Sequence, residues 1–332
     1  MRNRSIDIVK GMAILLVYLD HSIIYHPIDL KTMYPWCMQL WDFITSFNMP
    51  LFFIVSGFLF SMSKRDSLSL LNSKILRLAI PYLFTMLIVE LGKYLLPGSM
   101  AKNTVGGGII NVLNNVLLHG GDRWFVYVLF VMTIIVIPIR NILHNVWARC
   151  FVYLLCIYLT QTEIVPDFLR LATVARFLPF FVLGYALNHY YHTICSFCTN
   201  SKNVLILLLA FIVLNYVLVE YLKNIDWLWL WILSLSGSIA YFTIAWVVDN
   251  NNKRDKNESL ILQFVIYCGK YSLQLYLFSF LYPVIRILPT YVFHSENPFF
   301  IIPFVYIMQL ICAISIIEVT RRIKFLKIPC GY

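Results

Sequence analysis

The chain has 332 residues, 60% of them apolar and only 13% charged, against roughly half and a quarter in an ordinary soluble domain. With a mean hydropathy of +0.77, this composition excludes a soluble globular protein. The net charge of +10 reads as the cytoplasmic-side bias of a membrane protein, which leaves nucleic-acid binding without separate support.

A bilayer crossing needs about 20 mostly apolar residues. Ten such runs follow one another, near 8–28, 38–62, 75–96, 123–139, 149–165, 172–189, 203–222, 228–248, 265–285 and 299–319. With the N-terminus inside, 17 of the 26 Lys and Arg residues fall on the inner side or its interface, as the positive-inside bias requires. The expected fold is therefore all-α: a polytopic integral membrane protein of about ten helices with both termini cytoplasmic. One membrane-embedded domain over 1–332 is expected, with no appended soluble domain. The first run is basic and then apolar, but it contains Asp20 and His21 and no small-residue cleavage site follows, so it reads as a retained span and not a signal peptide. Eight cysteines without paired spacings argue against a disulfide framework.

Ionisable groups inside the membrane are costly and mark functional candidates. In the first span Lys10 and His21 are eleven residues apart, which is about 20° past three full turns and about 16 Å along a helix axis. They share one face at different depths, with Asp7 able to pair with Lys10 at i+3. A neutral imidazole at His21, near the middle of the bilayer, can accept a proton from a bound hydroxyl; the alternative is a hydrogen bond to a neighbouring span. Asp20 lies about 100° round the helix from His21, placed to orient or pair with a neighbouring group.

In the second span Pro50 removes a backbone donor near mid-membrane, so a kink or break is expected there. Asn48 and Ser56 flank it and can offer donors to a substrate or serve as interhelix contacts. On the inner side Lys64, Arg65, Lys74 and Arg77 precede the third span. Lys74 and Arg77 are neighbours on a helix and can clamp the phosphates of an anionic cofactor. The stretch 97–122, with Gly106, Gly107 and Gly108 but no phosphate-loop Lys, reads as a flexible outer connector. Further on, His189, His192, Cys195 and Cys198 recur every third residue. On a helix they spread over about 180° and cannot converge on one zinc ion without unwinding, so no metal is expected. A transporter or flippase of a lipid-linked saccharide would share the many spans and the proline break without needing acyl-CoA.

Several segments together resemble the acyltransferase family 3 membrane proteins. These are Asp7-Ile8-Val9-Lys10-Gly11 up to Asp20-His21-Ser22, Met49-Pro50-Leu51-Phe52-Phe53 to Ser56-Gly57-Phe58, and Lys74-Ile75-Leu76-Arg77 to Pro81-Tyr82. Trp124-Phe125, Phe180-Phe181-Val182-Leu183-Gly184-Tyr185 and Gly269-Lys270-Tyr271-Ser272-Leu273 to Tyr276-Leu277 follow in the family's order. The resemblance implies a membrane O-acyltransferase of the bacterial cytoplasmic membrane. Such an enzyme takes an acyl group, typically acetyl, from cytoplasmic acyl-CoA. It places that group on a hydroxyl of a cell-surface polysaccharide or lipid-linked sugar. It further implies His21 as the essential histidine with Lys10 as its basic partner, where Arg is commoner, and Lys74 and Arg77 as the donor-binding pair. Asn48, Ser56, Asp20 and the Trp124 indole are candidate substrate or oxyanion contacts. Two departures stand out: Ser279 occupies a position where many relatives carry His, and no hydrolase-like domain is fused, which implies transfer within the membrane domain or completion by a polysaccharide-assembly partner.

Overall fold

The structure is a computed structural model. It describes residues 3–332 except 25–28, 96–107, 163, 167, 191–205, 207–208, 212, 214, 216–225, 255–258, 280–284 and 286, and describes only the backbone of 94–95, 226–230 and 251–254. Helices account for all the regular structure among the described residues. In chain order these are α1 (Arg4–Ile23), α2 (Leu30–Met33), α3 (Pro35–Ser61), α4 (Ser67–Lys74), a π-helical turn (Ile75–Ala79), α5 (Ile80–Leu95) and α6 (Ile109–Leu118). After a 3-10 turn (Gly121–Arg123) come α7 (Trp124–Ile139), α8 (Val146–Thr162), α9 (Leu171–Leu187), α10 (Asp226–Arg254), α11 (Leu260–Lys270), α12 (Ser272–Phe278) and α13 (Pro298–Thr320).

Among the described residues six stretches are long and apolar enough to cross a membrane: Pro35–Ser61, Ser67–Lys93, Ile109–Ile139, Phe168–Leu187, Trp231–Asn250 and Pro298–Thr320. Each overlaps one of the runs expected from the sequence, although Ile109–Ile139 starts well before its run at 123–139. The first run is helical over Arg4–Ile23 but carries Asp7, Lys10 and Asp20; α8 and α11 are shorter apolar helices. The 203–222 run falls largely outside the described residues, where 206, 209–211, 213 and 215 are helical. Large apolar side chains such as Trp147, Leu154, Leu260, Phe299 and Ile311 face outward, as lipid-exposed positions do.

The stretch 97–122 is not a plain connector, because α6 occupies 109–118. Its Ile109, Val112, Leu113 and Val116 supply the i, i+3, i+4, i+7 apolar spacing of a helix.

α1 and α3 form the centre. At one end, Ile23, Leu30 and Cys37 pack with Ile301, Ile302 and Val305 of α13, so α1 and α3 run antiparallel. At the other end, Phe60 lies under Lys74 at 5.8 Å and Arg140 at 5.8 Å, and Arg140 donates to the carbonyls of Ser63 and Arg65. Basic residues thus gather at that end.

Two helix crossings bring backbone against backbone. A Cβ added to Gly57 would lie 1.9 Å from the Phe181 carbonyl oxygen, and one added to Gly184 would lie 1.9 Å from that of Ile54. Gly269 of α11 meets the Asp7 carbonyl of α1 in the same way, at 1.7 Å. Small residues at such crossings replace side-chain packing with close main-chain approach.

The break expected at Pro50 does not occur: α3 runs continuously from Pro35 to Ser61. Pro50 leaves the Ser46 carbonyl without its intrahelical donor, and the Ser234 hydroxyl of α10 supplies one at 2.7 Å. Both serines are buried. Replacing Ser234 with alanine leaves that carbonyl without this partner and is expected to cost about 1–3 kcal/mol, read as a lowered unfolding midpoint in detergent; an unchanged midpoint would show that α3 tolerates the proline unaided.

Candidate active site

α1 positions the candidate base. Lys10, Ile14 and Val17 line a cavity of about 110 Å3 together with Phe52 and Ser56 of α3, Phe125 of α7 and Tyr276 of α12. The spacing Lys10, Ile14, Val17, His21 is one stripe of a helix, so His21 continues the cavity-lining face beyond Val17. Lys10 stands at the opposite end of the stripe, 2.9 Å from the Asp7 carboxylate.

Asp20 does not reach another helix: its carboxylate hydrogen-bonds Nδ1 of His21 itself. The Val17 carbonyl lies 2.9 Å from the same nitrogen. Two acceptors on Nδ1 place the ring proton there and the lone pair on Nε2. The Asp20 side chain is 6% exposed and that of His21 34%, so the carboxylate is shut in while the imidazole retains access. This is the arrangement of an oriented general base, with the carboxylate holding both tautomer and ring direction.

The other sequence candidates divide. Ser56 lines the cavity. Asn48 is 0% exposed and neither its amide nitrogen nor its oxygen has a hydrogen-bond partner among the described residues; seven residues and about 20° separate it from Val55 on α3, so it prolongs the cavity face at the His21 end. Trp124 stacks on Phe177 at 5.9 Å and is not among the cavity-lining residues. Lys74 closes α4, and Arg77 lies exposed in the π turn, directly before Leu78, which lines the cavity beside Lys10. π turns frequently sit at functional positions. The basic pair therefore borders the Lys10 end and is separate from His21.

Two residues escaped the sequence reading. Tyr276 lines the cavity, and its hydroxyl oxygen accepts the Phe125 N–H at 3.3 Å, which leaves its own proton to donate. Arg123 is 7% exposed, stacks over the Tyr276 ring at 5.7 Å and acts electrostatically on His21. A basic residue on the side where the charge bias expects few was the available signal. Of the His and Cys run, His192, Cys195 and Cys198 lie outside the described residues; the His189 ring is 5.9 Å from that of His144.

The Acyl_transf_3 family model, described as an acyltransferase domain, matches residues 3–318. The chain belongs to this acyltransferase family. As a member with several apolar helices, it is a membrane protein. The chain is also similar to the nodulation protein NolL of Sinorhizobium fredii (strain NBRC 101917 / NGR234), 26% identical over 192 residues that cover 55% of this chain and 48% of NolL. The chain thus matches about half the length of that curated relative. No solved structure matches it.

Proposed function

We propose that this acyltransferase-family protein is a membrane O-acyltransferase. It moves an acyl group, acetyl in the simplest case, from cytoplasmic acyl-CoA to a hydroxyl of a cell-surface or lipid-linked sugar at the bacterial inner membrane. The observation that carries this reading is that Lys10, Ile14 and Val17 line one cavity on the α1 stripe that His21, hydrogen-bonded to Asp20, continues beyond Val17. The donor enters from the basic end, its phosphates on Lys74 and Arg77, and its thioester reaches along the cavity past Lys10 and Ser56 to His21. The acceptor approaches from the other end.

Nε2 of His21 takes the acceptor's hydroxyl proton while the alkoxide oxygen attacks the thioester carbonyl carbon. The oxyanion of the tetrahedral intermediate needs fixed donors in a water-poor site, and the Ser56 and Tyr276 hydroxyls on the cavity wall offer them. The C–S bond then breaks, the CoA sulfur leaves, and the imidazolium returns its proton to it. Asp20 stabilises the imidazolium between these steps.

Transfer of labelled acetyl from acetyl-CoA into the glycan fraction of membranes carrying the chain tests the activity; absence of label with expressed protein would overturn it. Within that assay Lys74→Ala and Arg77→Ala are each expected to raise KM for acetyl-CoA about 10-fold or more, the scale of a lost charge-assisted contact. Neither variant should alter KM for acetyl-pantetheine, which lacks the nucleotide phosphates. Equal effects on both donors would remove the pair from phosphate binding.

A further inference from the structure

A buried cation normally has a carboxylate or several acceptors to offset its lost hydration. Arg123 has neither. Its Nε is enclosed without a hydrogen-bond partner, and no ion pair to its guanidinium occurs among the described residues. The two obvious carboxylates are committed elsewhere. Asp122, its chain neighbour, pairs with Lys93 at 2.9 Å, and Lys93 also holds Glu90 at 2.9 Å. Asp20 is taken by His21. The face of Tyr276 at 5.7 Å offsets part of the charge and no more.

The position adds a second source of positive potential. Arg123 is the residue on which α7 starts, a 16-residue helix whose N-terminus carries a partial positive charge. Phe125 packs against Phe52 and Phe53 at 5.5 and 4.9 Å, while the far end of α7 meets Phe60 through Arg140. Arg123 therefore lies toward the Asn48 end of α3, away from the Lys74 and Arg77 pair. Its charge acts on His21, Tyr18 and Tyr276 together.

We infer that Arg123 is the anion-binding residue of the acceptor half of the site, taking a carboxylate or phosphate that the acceptor carries close to the hydroxyl His21 deprotonates. The inference rests on the acyltransferase reading above and deepens it: the acceptor is an anionic saccharide, with the charge on a uronic acid residue or on the phosphate of its lipid link. Binding that anion neutralises the guanidinium, fixes the acceptor's register and brings one hydroxyl to Nε2. Arg123 is a specificity-determining residue and carries no step of the chemistry.

The test uses the full chain in detergent or nanodiscs as wild type, Arg123→Met and Arg123→Lys. Three acceptors are compared: a uronic-acid oligosaccharide, its carboxyl-reduced counterpart, and a neutral sugar on a polyisoprenyl phosphate. Arg123→Met is expected to raise KM for the anionic acceptor about 10- to 100-fold, to leave KM for acetyl-CoA unchanged, and to remove the preference over the neutral acceptor. Arg123→Lys restores part of it, and the anionic acceptor that responds names the source of the charge. Because the replacement removes an uncompensated buried charge, the unfolding midpoint of Arg123→Met rises; a residue kept for packing would lower it. A loss of kcat shared by all acceptors, or a raised KM for acetyl-CoA, would overturn the inference while leaving acyl transfer intact. Unfolding midpoints with each acceptor added provide a readout that needs no turnover. Stabilisation of the wild type by an anionic acceptor, lost in Arg123→Met, supports the assignment even where no transfer is seen. No stabilisation by either anionic acceptor refutes it.

Discussion

Replacing His21 with alanine is expected to cut acyl transfer about 10²- to 10⁴-fold, the usual contribution of a positioned general base, at unchanged protein level. The expectation follows from how completely Nδ1 is occupied. With the Asp20 carboxylate and the Val17 carbonyl both on that nitrogen, the ring has a single basic atom to present. Asp20→Asn should fall between wild type and His21→Ala, since the amide no longer stabilises the imidazolium but Val17 still favours the same tautomer. Labelled acetyl counted in matched membranes checks both variants. A His21→Ala rate equal to wild type would take the imidazole out of the chemistry and leave the α1 stripe as packing.

The second large effect is on assembly. Gly184→Leu must push a side chain into the Ile54 carbonyl, where even a Cβ would lie at 1.9 Å. Because the obstacle is main chain and cannot swing aside, the cost is expected at or above the ~3 kcal/mol upper end of overpacking, with loss of the α3–α9 contact and of folded protein in detergent. Gly92 on α5 is the control. Nothing lies within 4 Å of an added Cβ there, so Gly92→Ala should be neutral or stabilising by up to about 1 kcal/mol through helix propensity. Similar unfolding midpoints for the two variants would refute the backbone-contact account of Gly184.

Six of the ten expected runs overlap a helix long and apolar enough to span, and they were readable in advance because a spanning helix is a composition over some 20 residues and needs no knowledge of its neighbours. The Lys10–His21 face was readable for a related reason: both residues sit on one uninterrupted helix, so spacing alone sets their angle and separation. What failed to show depends on partners distant in the chain. Of the kink or break expected at Pro50, the break is absent, and the donor that Ser234 supplies to Ser46 could not be read from the local sequence. Asp20 looked turned away by 100°, yet a short flexible carboxylate can fold back onto the adjacent ring. Arg123 counted as one more basic residue near the outer side, and only its enclosure without a counter-ion sets it apart. Helix α6 was hidden by the three glycines that precede it, although its own ten residues carry a clear helical spacing.

The contact between Ser234 and Ser46 also orders the protein's synthesis. The two residues are 188 positions apart, so the translocon delivers α3 to the lipid long before its hydroxyl partner exists. Through that interval the Ser46 carbonyl faces hydrocarbon or borrows a temporary donor, and the α3 helix is free to bend at Pro50. The helix that borders the cavity therefore gains this backbone partner late, when α10 arrives. A nascent chain halted before residue 234 would hold the candidate base and the basic pair without α3 having gained that partner.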